Sequence, residues 1–179
     1  MRDEAVGPAG FRRAGSLITA LFGLPWALTA AGLLQAEAAT GVRLAALTIT
    51  VLAIGVALLP PATGQDRVRL VPTDWRRRFN QVGLAQAAAI LAVGAALVLS
   101  GRPTLIPAAV CLVVGLHFLP LARLFDQPQF RWTGAGMCLV AAVAGSLHLW
   151  GPGTAAEVVA GGGAAVVLWV TSLHVARVD

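Results

Sequence analysis

Six apolar stretches of about 20 residues constrain this chain more than any other feature of its sequence. A helix of that length spans the hydrocarbon core of a bilayer. Predicted helices cover about residues 14–34, 42–59, 79–99, 104–125, 132–149 and 154–176. Because they use most of the 179 residues, we predict a single all-α domain over 1–179. Its expected architecture is a polytopic bundle of about six transmembrane helices arranged in three hairpins.

The arginines predict the orientation of the bundle, because short cytoplasmic loops carry an excess of basic residues. With the N-terminus inside, only Arg43 and Arg102 face outward. The inner segments hold the other eleven: Arg2, Arg12, Arg13, Arg67, Arg69, Arg76, Arg77, Arg78, Arg123, Arg131 and Arg177. We therefore expect both termini in the cytoplasm. Arginines that flank apolar spans indicate the lipid bilayer as partner and argue against nucleic acid.

The composition indicates a bacterial source. The chain has no lysine and is rich in alanine, glycine, valine and leucine, which is typical of a genome of high GC content. The expected location is the bacterial plasma membrane. The oligomeric state stays open.

Polar and aromatic side chains concentrate in the predicted cytoplasmic half, where we expect them to ring a cavity open to the cytoplasm. The candidate catalytic residues are Asp126, Asp74 and His117. The candidate substrate-binding residues are Trp26, Trp75, Arg78, Phe79, Gln86, Phe118, Arg123 and Trp132. No metal and no cofactor is expected, because Cys111 and Cys138 lie inside spans without ligand spacing.

Each candidate also has a structural interpretation. His117 can bond to a backbone carbonyl freed by Pro120, and Gln86 can join two helices. Arg123 and Asp126 can pair across one helix end, and the Asp74–Arg78 segment can anchor the chain at the headgroups. Trp26 can be a core residue. Both kinds of interpretation remain open at this point.

The run from Ile106 to Phe125 contains VGLHFLPLARLF and is followed by Phe130-Arg-Trp-Thr-Gly134. It resembles the "IPP…VGLHFLPLARLF" signature of a family of small six-helix bacterial membrane proteins, mostly without an assigned function. The resemblance covers helices 3 to 5 and implies the same fold. It also implies a glutamate near the position of Gln86, and the departure weakens any role for an acid there.

A looser similarity is to integral-membrane terpene cyclases, which are bundles of comparable size. That similarity implies cyclisation of a prenyl chain started by protonation. Such chemistry needs a carboxylic acid, a water-poor cavity and aromatic faces for the carbocation. The expected function is thus a membrane-embedded enzyme acting on a lipophilic small molecule. A non-catalytic accessory or structural protein and a small transporter or exporter remain the alternatives.

Overall fold

The computed structural model describes residues 3–6, 8–59, 69–151 and 153–178 of the chain. Arg2 and Arg67, which entered the orientation argument, lie outside these residues. Six long helices make up the fold: α1 Pro8–Ala31, α2 Ala36–Leu58, α3 Trp75–Leu99, α4 Ile106–Leu124, α5 Gln129–Trp150 and α6 Gly153–Val178. A short 3₁₀ turn, Pro103–Leu105, precedes α4. The prediction of six long apolar helices is confirmed.

All six helices are long and apolar enough to cross a membrane. Large apolar side chains lie on their outer faces, and Leu84, Leu91 and Leu99 of α3 are 74%, 74% and 88% exposed. A water-soluble monomer rarely exposes apolar patches of that extent. The chain is therefore a multi-pass membrane protein.

The observed elements differ from the predicted ones at the starts of two helices and in two short strands. α2 begins at Ala36 and α3 at Trp75, several residues before the predicted starts. Hydropathy marks only the hydrocarbon part of a helix, whereas the backbone continues through polar residues at the headgroups. Two four-residue strands were also not predicted: β1 Asp3–Val6 pairs antiparallel with β2 Arg69–Pro72.

The helices pack as a layer in the order α2, α1, α6, α5, α4, α3. α6 lies at the centre of this layer, where it packs extensively on α1 and α5 and more lightly on α2 and α4. Half of its span is buried, whereas α3 has no buried residue and packs mainly against α4. The protein thus has a compact α1–α6–α5 centre and an α3 at its edge.

Hydroxyl groups join α6 to both neighbours. Ser16 of α1 and Ser172 of α6 are fully buried, and each hydroxyl donates to the other residue's carbonyl oxygen, at 2.9 and 2.8 Å. On the other side, the Oγ1 atoms of Thr133 in α5 and Thr171 in α6 are 2.8 Å apart. Hydrogen bonds between helices replace the hydrophobic driving force that lipid tails cannot supply.

Glycines bring α4 and α5 into backbone contact. A Cβ at Gly115 would lie 3.0 Å from the carbonyl oxygen of Gly134, and a Cβ at Gly134 would lie 2.7 Å from that of Gly115. Both distances are too short for a real side chain. The approach fixes α4 on α5 and so positions the end of the bundle where the candidate residues lie.

Candidate functional site

Five aromatic side chains meet where α3 begins, α4 ends and α5 begins. We call them the aromatic cluster: Trp75, Phe79, Phe118, Phe125 and Phe130. The Phe125 ring lies 6.0 Å, between centroids, from both Trp75 and Phe79. The rings of Phe118 and Phe130 are 5.5 Å apart. The structure therefore brings together Trp75, Phe79 and Phe118 of the predicted binding residues.

Asp126 follows the aromatic cluster in an unusual backbone conformation. Its φ is 48°, and it is the non-glycine residue with positive φ among those that the structure describes. The amide of Gln127 donates to the carbonyl of Ala122 at 2.9 Å. This is the Schellman motif that ends many helices, in which the left-handed position is usually glycine.

The end of α3 shows the same motif with the usual residue. There Gly101 has a φ of 70°, and the amide of Arg102 donates to the carbonyl of Leu97 at 2.8 Å. The chain thus places glycine at one such position and aspartate at the other. A residue in a strained conformation next to a cluster of aromatic rings is a reason to suspect a function.

Asp74 lies on the other side of the aromatic cluster, directly before Trp75. Its Oδ2 accepts from Nε of Arg78 at 2.9 Å, and both side chains are nearly half exposed. One carboxylate oxygen is thus occupied by a cation. Arg123 is exposed and forms no ion pair with Asp126, so the predicted pairing of these two residues is wrong.

His117 directly precedes Phe118 of the aromatic cluster in α4 and is half-buried. Its ring faces the backbone of Val82 in α3, and its Nδ1 is buried without a hydrogen-bond partner. The structure therefore places this histidine against α3, and the bond to a carbonyl freed by Pro120 stays a prediction. Gln86 is half-buried one turn after Val82. Both polar residues thus lie toward the seam between α3 and α4.

Two predicted binding residues, Trp132 and Trp26, are not members of the aromatic cluster. Trp132 is 80% exposed on the outer surface of α5. Trp26 packs where α1 meets α6, since a Cβ at Gly161 would lie 2.8 Å from its carbonyl oxygen. Trp132 therefore lies apart from the other candidates, whereas Trp26 also packs against the core cluster that contains Phe118.

Sequence reasoning missed several residues of the site. Phe125 and Phe130 belong to the aromatic cluster, and their place beside the Asp126–Pro128 turn was the available signal. Gln127 is 2% exposed, and its Oε1 has no hydrogen-bond partner. A polar residue in a short turn is ordinarily solvated, so nothing in the sequence indicates that this amide is buried.

An apolar groove of about 320 Å³ lies toward the α3–α4 turn, at the far end of these helices from the aromatic cluster. It is lined by Val93 and Leu97 of α3, Leu105, Ala108, Ala109 and Leu112 around the start of α4, and Cys138, Ala141 and Ala142 of α5. The predicted cavity belonged to the arginine-rich end. The described groove is at the opposite end, and the rings of the aromatic cluster pack on each other.

The described residues contain no group of three or more His, Cys, Asp or Glu side chains that could hold a metal ion. Comparison with protein-family models, curated proteins and solved structures finds no match to this chain. The resemblance to the six-helix bacterial family therefore stays an expectation, and the site must be interpreted from its own geometry.

Proposed function

We propose that this protein is a membrane-embedded enzyme that acts on a lipophilic small molecule at the α3–α5 end of the bundle. The observation that carries the proposal is Asp126, held in a left-handed conformation directly after Phe125 of the aromatic cluster. Asp74 flanks the same cluster through Trp75. A carboxyl group beside aromatic faces is the combination that protonation chemistry on an alkene requires.

The most concrete reaction is cyclisation of a prenyl chain. The carboxylic acid of Asp126 donates a proton to one double bond, a second double bond attacks the cation, and loss of a proton to a base ends the reaction. Aromatic faces stabilise the intermediate cations. The product is an isomer of the substrate. A bound prenyl chain covers Asp126 and excludes water from it, as the reaction demands.

The orientation belongs to the same proposal. Arg76, Arg77, Arg78, Arg123 and Arg131 surround this end of the bundle. The positive-inside rule assigns such an end to the cytoplasm, with both termini on that side. A prenyl substrate made in the cytoplasm then reaches the site from its own compartment, and the bacterial plasma membrane is the expected location.

Product analysis tests the proposal. Membranes with the protein are incubated with linear prenylated substrates, and products are analysed by LC–MS. Asp126→Asn removes the acid and keeps a residue that tolerates the left-handed conformation. Glu37→Gln, an exposed acid at the start of α2, is the matched control.

We expect a new product of unchanged mass with the wild type and with Glu37→Gln, and none with Asp126→Asn. A product that persists in Asp126→Asn would move the acid to Asp74, which Asp74→Asn then tests. The absence of any product across the panel would count against catalysis.

One observation favours a non-catalytic accessory protein as the second candidate. α3 is 25 residues long, buries none of them and packs mainly on one neighbour. Such an edge helix suits contact with another membrane protein. Transport has less support, because the groove at the other end offers no charged group along a path.

A further inference from the structure

The apolar groove lies beside Arg102. The amide of Arg102 donates to the carbonyl of Leu97, and the carbonyl of Arg102 accepts from the amide of Leu105 at 3.2 Å. Leu97 and Leu105 both line the groove. The backbone of Arg102 is therefore fixed to the two residues that border the groove nearest the α3–α4 turn.

The side chain of Arg102 is exposed and has no acidic partner among the described residues. It is one of two arginines at the end of the bundle that is otherwise poor in basic residues. The positive-inside rule does not explain an arginine at the end of the bundle that has few basic residues, so Arg102 must have another role. Its planar guanidinium suits a phosphate, which it can bind through two hydrogen bonds.

The lining and position of the groove indicate the chemical class of molecule that fits it. Its residues are aliphatic except for the Cys138 thiol, and it opens between transmembrane helices, so hydrocarbon is the medium that meets it. Its volume of about 320 Å³ is at the lower end of the range of small-molecule sites. An apolar groove beside an exposed arginine, whose backbone is bonded to two residues of the lining, matches an amphiphile with an apolar chain and an anionic head.

We propose that this groove, together with Arg102, binds one anionic phospholipid, with an acyl chain between α3, α4 and α5 and the phosphate on Arg102. The site is independent of the proposed catalytic end. It supports α3, which otherwise packs mainly on α4. The lipid fills the space between α3 and α5 beside the start of α4.

Native mass spectrometry tests this site on the full chain. The protein is delipidated in neutral detergent and titrated with phosphatidylglycerol or phosphatidylcholine of identical acyl chains. We expect one retained phosphatidylglycerol and weaker retention of phosphatidylcholine. Arg102→Gln should lower the preference for phosphatidylglycerol about fivefold. Arg43→Gln, the other arginine of that end, should leave it unchanged.

A second pair of variants tests the groove. Ala109→Phe places a ring in the groove and should abolish retention of both lipids, whereas Leu91→Phe, on an exposed part of α3, should not. In a Cys111→Ala background, bound phosphatidylglycerol should also slow the labelling of Cys138 by an apolar maleimide. Thermal unfolding confirms that each variant is folded.

Four outcomes would overturn the proposal. Equal retention of the two lipids by the wild type, or an unchanged preference in Arg102→Gln, removes the phosphate from Arg102. Unchanged retention in Ala109→Phe removes the acyl chain from the groove. Labelling of Cys138 that does not respond to lipid contradicts the site as a whole.

Discussion

Asp126 and Gly101 occupy the same position of two helix-ending motifs, and the comparison isolates the cost of a side chain there. A left-handed conformation costs an ordinary L-residue about 1–2 kcal/mol, and less for aspartate. Glycine avoids that cost, although its more flexible unfolded chain offsets part of the gain.

We predict that Asp126→Gly raises the free energy of unfolding by up to about 1 kcal/mol and that Gly101→Asp lowers it by a similar amount. Thermal unfolding in detergent measures both. If the fold keeps aspartate here for function, Asp126→Gly is the more stable protein and makes no product. A clear loss of stability in Asp126→Gly would instead show that the carboxylate supports the fold.

A second prediction about individual residues concerns Ser16 and Ser172. Each hydroxyl bonds to the other residue's backbone, so replacing either serine also leaves its partner short of a buried hydrogen bond. We predict a loss of about 0.6–2 kcal/mol for Ser16→Ala or Ser172→Ala. In a double-mutant cycle the two losses should not add.

Ser146→Ala is the control for these serines, because Ser146 is exposed and bonds only to Ala142 of its own helix. It should change stability by less than about 0.5 kcal/mol. Additive losses at Ser16 and Ser172 would mean that the two hydroxyls act separately.

At the scale of elements, the α4–α5 contact depends on two glycines. Gly115→Ala or Gly134→Ala pushes a methyl group into the backbone of the other helix, which cannot move aside as a side chain can. We predict a loss of about 1–3 kcal/mol for either variant, the usual cost of overpacking. Thermal unfolding measures it.

Gly145 of α5 has nothing within 4 Å of an added Cβ. Gly145→Ala should therefore be neutral or stabilise the helix by up to about 1 kcal/mol. Equal effects at all three glycines would contradict a backbone contact between α4 and α5. A loss of stability confined to Gly115→Ala and Gly134→Ala would confirm that α4 and α5 are in backbone contact at these two glycines.

The sequence was enough to predict the six helices, but not the order in which they pack against each other. Each span was predictable because a helix of about 20 apolar residues matches the thickness of the hydrocarbon core of the bilayer. In lipid, however, a face that meets another helix is no more apolar than one that meets acyl chains. Leu84 and Leu121 are the same residue type, yet Leu84 is 74% exposed and Leu121 is 6% exposed.

The site was predictable to the same partial extent. Asp74 and Trp75 were singled out as part of the arginine-rich segment before the third span, and Phe79 and Phe118 as aromatic residues in the cytoplasmic half of their spans. The position of Trp26 where α1 meets α6 was not predictable, because depth along the bilayer does not reveal which helices are neighbours. The conformation of Asp126 was also hidden, because glycine is the residue that ordinarily signals it.

At the scale of the whole molecule, the arginines give a testable orientation. In a Cys111→Ala, Cys138→Ala background, a cysteine introduced at Ser100 lies in the α3–α4 turn and one introduced at Pro128 lies before α5. We predict that a membrane-impermeant maleimide labels the Ser100→Cys variant in intact cells. The Pro128→Cys variant should react only after the membrane is permeabilised.

The inverse pattern would reverse the orientation and place the aromatic cluster on the outer face. Labelling of both sites in intact cells would show that the chain does not hold one orientation. Leu99→Cys, 88% exposed at the end of α3, is a second probe for the turn side.

The bond between Ser16 and Ser172 also sets the order in which the protein can be completed. α1 precedes α6 in the chain, so Ser16 is synthesised before its partner Ser172 exists, and α2, α3, α4 and α5 follow before α6 supplies that partner. α5 has the same dependence through Thr133. The centre of the bundle therefore cannot form until α6 has been inserted. We expect a chain truncated before α6 to leave the hydroxyl groups of Ser16 and Thr133 without their partners.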